Sequence, residues 1–391
     1  MKKPRVGSAC SGYGGFDLGF EDAGFEIAWQ FEIDKYANQL LRRHWPGGHN
    51  HGDLNEHRAA KPSPVAVIFG GTPCQDLSSA GLSEGLDGKS SRLFYSFVDL
   101  ADRSEIPWMV WENVPASLSS PKRDPGRDWE VIIERITGAR IKRPAEGWAT
   151  GGWAVGSKRW MVWRVLDAQY LGVPQRRRRV FIVASTRPEP APGILFDSAA
   201  VPRHLGPGEE KEPPASCLTT GCAGRRQHPE GIQVGTLTAQ AAKRSGEFDQ
   251  INCGTLTTQS PTRSGAGFDL ITALNLSSVT SGENRSNPKP GGPAPTLCST
   301  SDVLSFAPGS EVRGYHQDGT EIHEGDPRVC TPVERERLMG IDDEWTEWGL
   351  DELGRRVEIS TTQRVKLTGN GVVRPVAAWI ARRLFAEIAK G

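Results

Sequence analysis

From Arg5 to Ser185 short apolar runs alternate with helix-like segments, and this alternation limits the chain to few architectures. "RVGSAC", "EIAWQFEID", "PVAVIFGG" and "PWMVWENV" read as strands, and "RRVFIVAST" as a further strong one. Between them lie "GGFDLGFEDAG", a turn entering a helix that stops at Gly24, and the helical "KYANQLLRRHW" and "RLFYSFVDLADRS". Strand and helix in alternation give a doubly wound α/β sheet. In such a sheet ligands bind outside the carboxyl ends of the strands.

Composition narrows the class. The 391 residues suffice for two domains, and 47 basic residues balance 47 acidic ones, so any nucleic-acid surface must be local. The seven cysteines form no CxxC pair, and none accompanies the crowded His44, His49, His51 and His57. A structural zinc site and a disulfide framework are both disfavoured, and a reducing cytoplasm fits. With no signal peptide visible and no apolar run near the roughly 18 residues of a membrane span, the sequence predicts a soluble protein.

The strand ends carry the chemistry. "SGYGGFDLG" follows the first strand and opens a helix, where backbone N–H groups can hold a ligand. Glu32 ends the second strand, where an acidic residue commonly binds ribose hydroxyls, and Asp53 sits in the next loop. Cys74, in "GGTPCQDLS", follows the third strand. A free cysteine is ordinarily a small core residue, but this one lies in a Gly-Gly-Thr-Pro loop at the ligand edge. Glu112, in "WENV", follows the fourth strand. A thiol and a carboxyl beside an adenosine-type cofactor suggest covalent catalysis on an electron-poor ring. In "PQRRRRVF", alternation puts Gln175, Arg177 and Arg179 on one face and Arg176 and Arg178 on the other.

From Thr186 to about Gly325 the texture turns to proline, glycine, serine and threonine. "TLTAQAAKRSGEFD" at Thr236 recurs as "TLTTQSPTRSGAGFD" at Thr255, with a fainter copy at Cys217 that keeps Leu218, Leu237 and Leu256, and Arg225, Arg244 and Arg263, in register. Short strands separated by turns suit such a period, and the arginines suit phosphate contacts; a decaying duplication without a role is the alternative. Order returns at "TPVERERLMG", where Thr331 can cap a helix closed by Gly340. "GNGVVRPVAAWIARRLFAEIAK" then reads as a glycine turn and an amphipathic helix.

In order, "SGYGG", "FEID", "GGTPCQDLS", "WENV", "PQRRRRVF" and "GNGVV" closely resemble the motifs of the DNA (cytosine-5)-methyltransferases, in the style of phage, prophage or bacterial members; "TPVERERLMGI" resembles a seventh motif. The resemblance implies a Rossmann-like sheet binding S-adenosyl-L-methionine over residues 1–185. It also implies a smaller, loop- and strand-rich target-recognition domain over 186–345, and a segment, 346–391, returning to the catalytic domain. It implies that Cys74 attacks carbon 6 of a cytosine flipped out of duplex DNA, that Glu112 engages ring nitrogen 3 and the amine, and that Arg179 holds the base oxygen with support from Arg177. Gln75 and Ser78 would lie on a loop closing over the DNA. The cofactor would be held by Ser11, Gly12, Tyr13, Gly14 and Gly15 at its methionine end, Glu32 and Ile33 at the ribose, and Asp53 and Leu54 at the adenine. Pro73, Asn370, Gly371 and Val372 would complete the pocket. Arg244 and Arg263 are the first candidates for DNA contact. A monomer is implied, in a bacterial or phage-infected cytoplasm, with a cognate restriction endonuclease as an optional partner.

Three departures stand out. Ser8-Ala9-Cys10 replaces the family's Asp-x-Phe, so adenine packing must come from elsewhere. Gly371 replaces a serine and leaves extra room near the cofactor. The stretch between "WENV" and "PQRRRR" is long, and its Trp148, Trp153, Trp160 and Trp163 either touch DNA or thicken the core. RNA cytosine methylation, a DNA-binding relative without catalysis and a dinucleotide oxidoreductase are the competing readings. The first lacks a use for the long variable segment, the second for intact Cys74, Glu112 and Arg179, and the third for "GGTPCQ" and "WENV".

Overall fold

The computed structural model describes residues 3–73, 92–189, 191–196 and 330–390, with the backbone of four short strands between 234 and 329. Cys74, Gln75, Ser78, Arg244 and Arg263 lie outside the described residues.

The predicted strands form β1 (Arg5–Ala9), β2 (Glu26–Phe31), β3 (Val67–Gly70) and β4 (Trp108–Asn113), all parallel, in the order β2-β1-β3-β4. The predicted helices are α1 (Gly15–Asp22), α2 (Lys35–His44) and α4 (Arg92–Arg103), and a single turn, α3 (His57–Ala60), precedes β3. Side chains of β3 alternate between two cores, Val67 and Phe69 into one and Ile68 into the other. Burial on both faces is why this strand reads as an unbroken apolar run.

Beyond β4 the sheet departs from a doubly wound one. It continues through β7 (Arg178–Ser185), β6 (Trp160–Asp167), β5 (Gly151–Val155) and β8 (Val234–Thr236), each antiparallel to its neighbour. The link from β6 to β7 is too short for a parallel crossover, which needs a dozen or more residues. The long stretch after "WENV" therefore forms α5 (Arg127–Thr137) and the β5–β6 hairpin. Trp148, Trp160 and Trp163 are buried there and Trp153 is partly buried against the core, so the tryptophans thicken the core. One consequence positions the site. Because β7 runs backwards, with Asn113 opposite Val180, its start enters at the edge where β4 leaves.

The last segment closes the fold. Thr331 and Glu334 form a reciprocal capping box on α6 (Pro332–Leu338), and Met339 and Ile341 join the core that holds Val376 and Ile380. After the strands β9 (Trp348–Leu350) and β10 (Arg356–Glu358) come α7 (Thr361–Asn370) and α8 (Arg374–Ile388). Helix α8 packs on α1, so closely at Gly19 that an added Cβ would stand 2.5 Å from the Ala377 Cβ. Arg374 forks onto Asp22 at 2.8 and 2.9 Å. No described helix is long and apolar enough to cross a membrane.

Candidate active site

The turn after β1 is held in a conformation that only glycine adopts easily: Gly12 and Gly14 have φ of +56° and +88°. Among the described residues nothing lies within 4 Å of a Cβ built on Gly12, so the turn is open on that side. Glu32 braces it from β2. One of its oxygens accepts from Gly12 N at 2.7 Å, and the other from Ile33 N and Asp34 N, both at 2.8 Å. A carboxylate has about four acceptor sites; three are filled, and the remaining one suits a ribose hydroxyl. Burial raises the Glu32 carboxyl above its ordinary range, against the pull of those N–H groups.

Asp53 caps the turn Leu54–Glu56 through one oxygen, which accepts from Asn55 N at 2.9 Å. Leu54 is buried, whereas Ile33 is 68% exposed, an apolar side chain available to a flat ring. Cys10 stands near both acids. Burial, then Glu32, then Asp53 push its thiol far up, so it stays a neutral lining group rather than a nucleophile. Open space at the glycine turn, the acceptor site left on Glu32, the Asp53 carboxylate and the exposed Ile33 side chain together suit an S-adenosyl group.

A second cluster lies at the ends of β3, β4 and β7. Arg179 Nε stands 3.1 Å from Glu112 Oε1. Burial pushes the Glu112 carboxyl upward, and Arg179 and then Arg177 pull it back. Glu112, Ala168, Arg177, Arg179, Phe181 and Val372 line a small, partly open cleft. The loop that leads to Cys74 starts against this carboxyl. A Cβ on Gly71 would stand 2.9 Å from Glu112 Oε2, so glycine is what admits the close approach. Trp111 Nε1 donates to Thr72 Oγ1 at 3.0 Å, and Asn113 Nδ2 to the Thr72 carbonyl at 3.3 Å, leaving Pro73 exposed. "WEN" thus fastens "GGTP".

The arginine alternation holds: Gln175 and Arg177 are buried, Arg179 is partly buried, and Arg176 and Arg178 are exposed. Arg177 does not reach outward. Its guanidinium donates to the carbonyls of Gly369 and Gly371 at 3.0 and 2.8 Å, fixing the bend between α7 and α8. Asn370, between those glycines, is exposed. Gly371 leaves no spare room: an added Cβ would stand 2.0 Å from the ring of Tyr13, which fills the space. The Tyr13 hydroxyl donates to the Val372 carbonyl at 2.5 Å, tying the glycine turn to the C-terminal bend. The sequence reading missed Thr72, Trp111 and Asn113, and also the buried trio Ser8, Asp17 and Gln30. For Asp17 a signal existed, since an acid flanked by Phe16 and Leu18 falls on a face that α1 must bury.

Fold and site together suit the binding of S-adenosylmethionine at the strand ends. Among solved structures, Schizosaccharomyces pombe Dnmt2 methyltransferase aligns with a TM-score of 0.51 and 14% identity over 100% of both chains. The Entamoeba histolytica methyltransferase EhMeth gives 0.52 and 13% over 99% of each. At such identities the likeness is one of fold. The sequence pattern of the C-5 cytosine-specific DNA methylase family matches residues 5–386, and the chain belongs to that family. It is similar to the type II methyltransferase M2.BsuMI of Bacillus subtilis, 31% identical over 51% of this chain and 46% of that one. It is also similar to a protein of Escherichia phage P1 named DNA N-6-adenine-methyltransferase, 34% identical over 56% of this chain and 33% of that one. The chain thus matches a third to a half of these relatives' length.

Proposed function

We propose that the protein methylates carbon 5 of cytosine in duplex DNA through a covalent adduct with Cys74. The observation that carries this reading is the Glu112–Arg179 pair, set 2.9 Å from a Cβ position on Gly71, three residues before Cys74. Carbon 6 of cytosine is a poor electrophile until nitrogen 3 is protonated or strongly hydrogen-bonded. Glu112 supplies that proton, since its buried carboxyl is pushed toward the neutral form. As the Cys74 thiolate bonds to carbon 6, the ring electrons move toward carbon 5. S-adenosylmethionine supplies an electrophilic methyl group there. Loss of the carbon-5 proton to water then expels the thiolate, the nitrogen-3 proton returns to Glu112, and the aromatic ring is restored. Arg179 orients Glu112 and holds the base oxygen, Arg177 keeps the Gly369–Gly371 wall in place, and Gly12, Glu32, Ile33 and Asp53 hold the cofactor. Residues 186–345 read the target sequence, and the enzyme acts as a monomer.

The test is nucleoside mass spectrometry on DNA from a methylation-free host expressing this chain, followed by bisulfite sequencing. 5-Methylcytosine at a fixed sequence, absent with Cys74→Ser, is the expected result. N6-methyladenine, or methylated RNA with unmethylated DNA, would overturn the reading.

A further inference from the structure

Beneath the glycine turn lies a polar chain that the chemistry above does not use. Asp17 is fully buried on α1. Gln30 Nε2 donates to its Oδ1 at 2.8 Å, the Ser8 hydroxyl donates to its Oδ2 at 3.0 Å, and the Ser8 and Ser11 hydroxyl oxygens are 2.8 Å apart. Ser11 begins the turn. We propose that Asp17, acting through Ser8, is the positioning residue that sets the hydrogen-bond polarity of Ser11 toward the amino-acid end of S-adenosylmethionine. This rests on reading the glycine turn as the cradle for that end.

The direction follows from counting donors. An ionised carboxylate only accepts, so Ser8 must give its single hydrogen to Asp17. Ser11 must then give its own to Ser8. That leaves the Ser11 oxygen facing the turn with lone pairs alone, an acceptor for the cofactor's ammonium. A proton on Asp17 reverses the row, because Gln30 already occupies Oδ1 as donor and the proton must sit on Oδ2, facing Ser8. Ser11 then points its hydrogen outward.

The surroundings let one proton decide. Facing Asp17 are neutral Ser8 of β1, neutral Gln30 of β2, and Glu21 one turn along α1, which is held by Trp45 Nε1 at 2.9 Å. From α8, Arg374 turns to Asp22 instead. Burial pushes the Asp17 carboxyl up to about 7.

Calorimetry of the whole chain with S-adenosylhomocysteine and with 5′-methylthioadenosine, which lacks the amino acid, tests this from pH 6 to 8. S-adenosylhomocysteine should bind roughly tenfold tighter at the alkaline end, the size of one hydrogen bond to a charged group. Methylthioadenosine should show no such trend. Asp17→Asn should flatten the trend at the weak level, and Ser8→Ala, which cuts the chain while keeping Asp17, should flatten it too. A trend that survives in Ser8→Ala, or that methylthioadenosine shares, overturns the proposal. If instead S-adenosylhomocysteine binds no better than methylthioadenosine at any pH, the cradle itself is misplaced.

Discussion

Replacing Gly371 by serine isolates a single steric conflict. The backbone there has φ −82° and ψ 173°, an extended conformation open to any residue. The nearest obstacle is the Tyr13 ring, whose Cε1 would lie 2.0 Å from the new Cβ. Its ring cannot retreat, because Tyr13 is fully buried, its hydroxyl is tied to Val372 and its carbonyl accepts from Trp345 Nε1 at 3.0 Å. Overpacking of this kind costs about 1–3 kcal/mol, here toward the upper end, which lowers the melting temperature by roughly 3–6 °C. Tyr13→Ala opens the space at a cost of about 3–5 kcal/mol of its own. Adding Gly371→Ser to that background should then be neutral or stabilising by a few tenths of a kcal/mol, since serine restricts the unfolded chain more than glycine. The assay is a double-mutant cycle by urea unfolding, with coupling of about 2 kcal/mol or more expected. An equal cost for Gly371→Ser in both backgrounds would refute the reasoning.

Glu112→Gln should lower turnover by roughly 10²–10⁴-fold, as removal of a general acid does, while DNA binding in a gel-shift assay stays near wild type. Asp17 also sets a pH dependence of stability. Its folded-state value of about 7 lies above that of an unfolded aspartate, so the unfolded chain releases the proton first, and stability is full below about pH 4 and is lost as pH rises to 7. Unfolding curves of Asp17→Asn and wild type should diverge over that window by a few kcal/mol in favour of the variant, at about 1.4 kcal/mol per unit. Grafting residues 186–345 onto a related catalytic domain should carry the methylation pattern with it, as read by bisulfite sequencing. Arg244→Ala or Arg263→Ala should reduce the salt slope of binding by about one if the side chain meets a phosphate.

Much of this architecture was legible because each parallel strand is a short apolar run ending in a residue that has to face the ligand edge. Glu32, Glu112 and the Arg177/Arg179 face follow from that and from alternation alone. The antiparallel half was not legible, since "GGWAV" and "WMVWRVLD" carry tryptophans that suit a core or a nucleic-acid surface equally well by composition. Only the pairing with β7 decides between them. The inward turn of Arg177 and the filling of the Gly371 site by Tyr13 escaped for a related reason. Both are contacts across at least 190 residues of chain, and local pattern carries no information about which carbonyl a buried guanidinium will find. Ser8 was hidden by its residue type, since a serine in a strand has an ordinary local explanation, whereas the burial of Asp17 could be read from Phe16 and Leu18 on either side but its partners on β1 and β2 could not.

Fluorine at carbon 5 makes the proposed bond between Cys74 and cytosine permanent, because the fluorine cannot leave as a cation. Purified protein incubated with S-adenosylmethionine and DNA in which every cytosine is 5-fluorocytosine should give a denaturation-resistant complex. Peptide mass spectrometry should place the attached nucleotide on Cys74, and Cys74→Ser should form none while still binding S-adenosylhomocysteine within a few-fold of wild type. An adduct that persists in Cys74→Ser, or none in a wild-type protein that methylates DNA, would contradict the account.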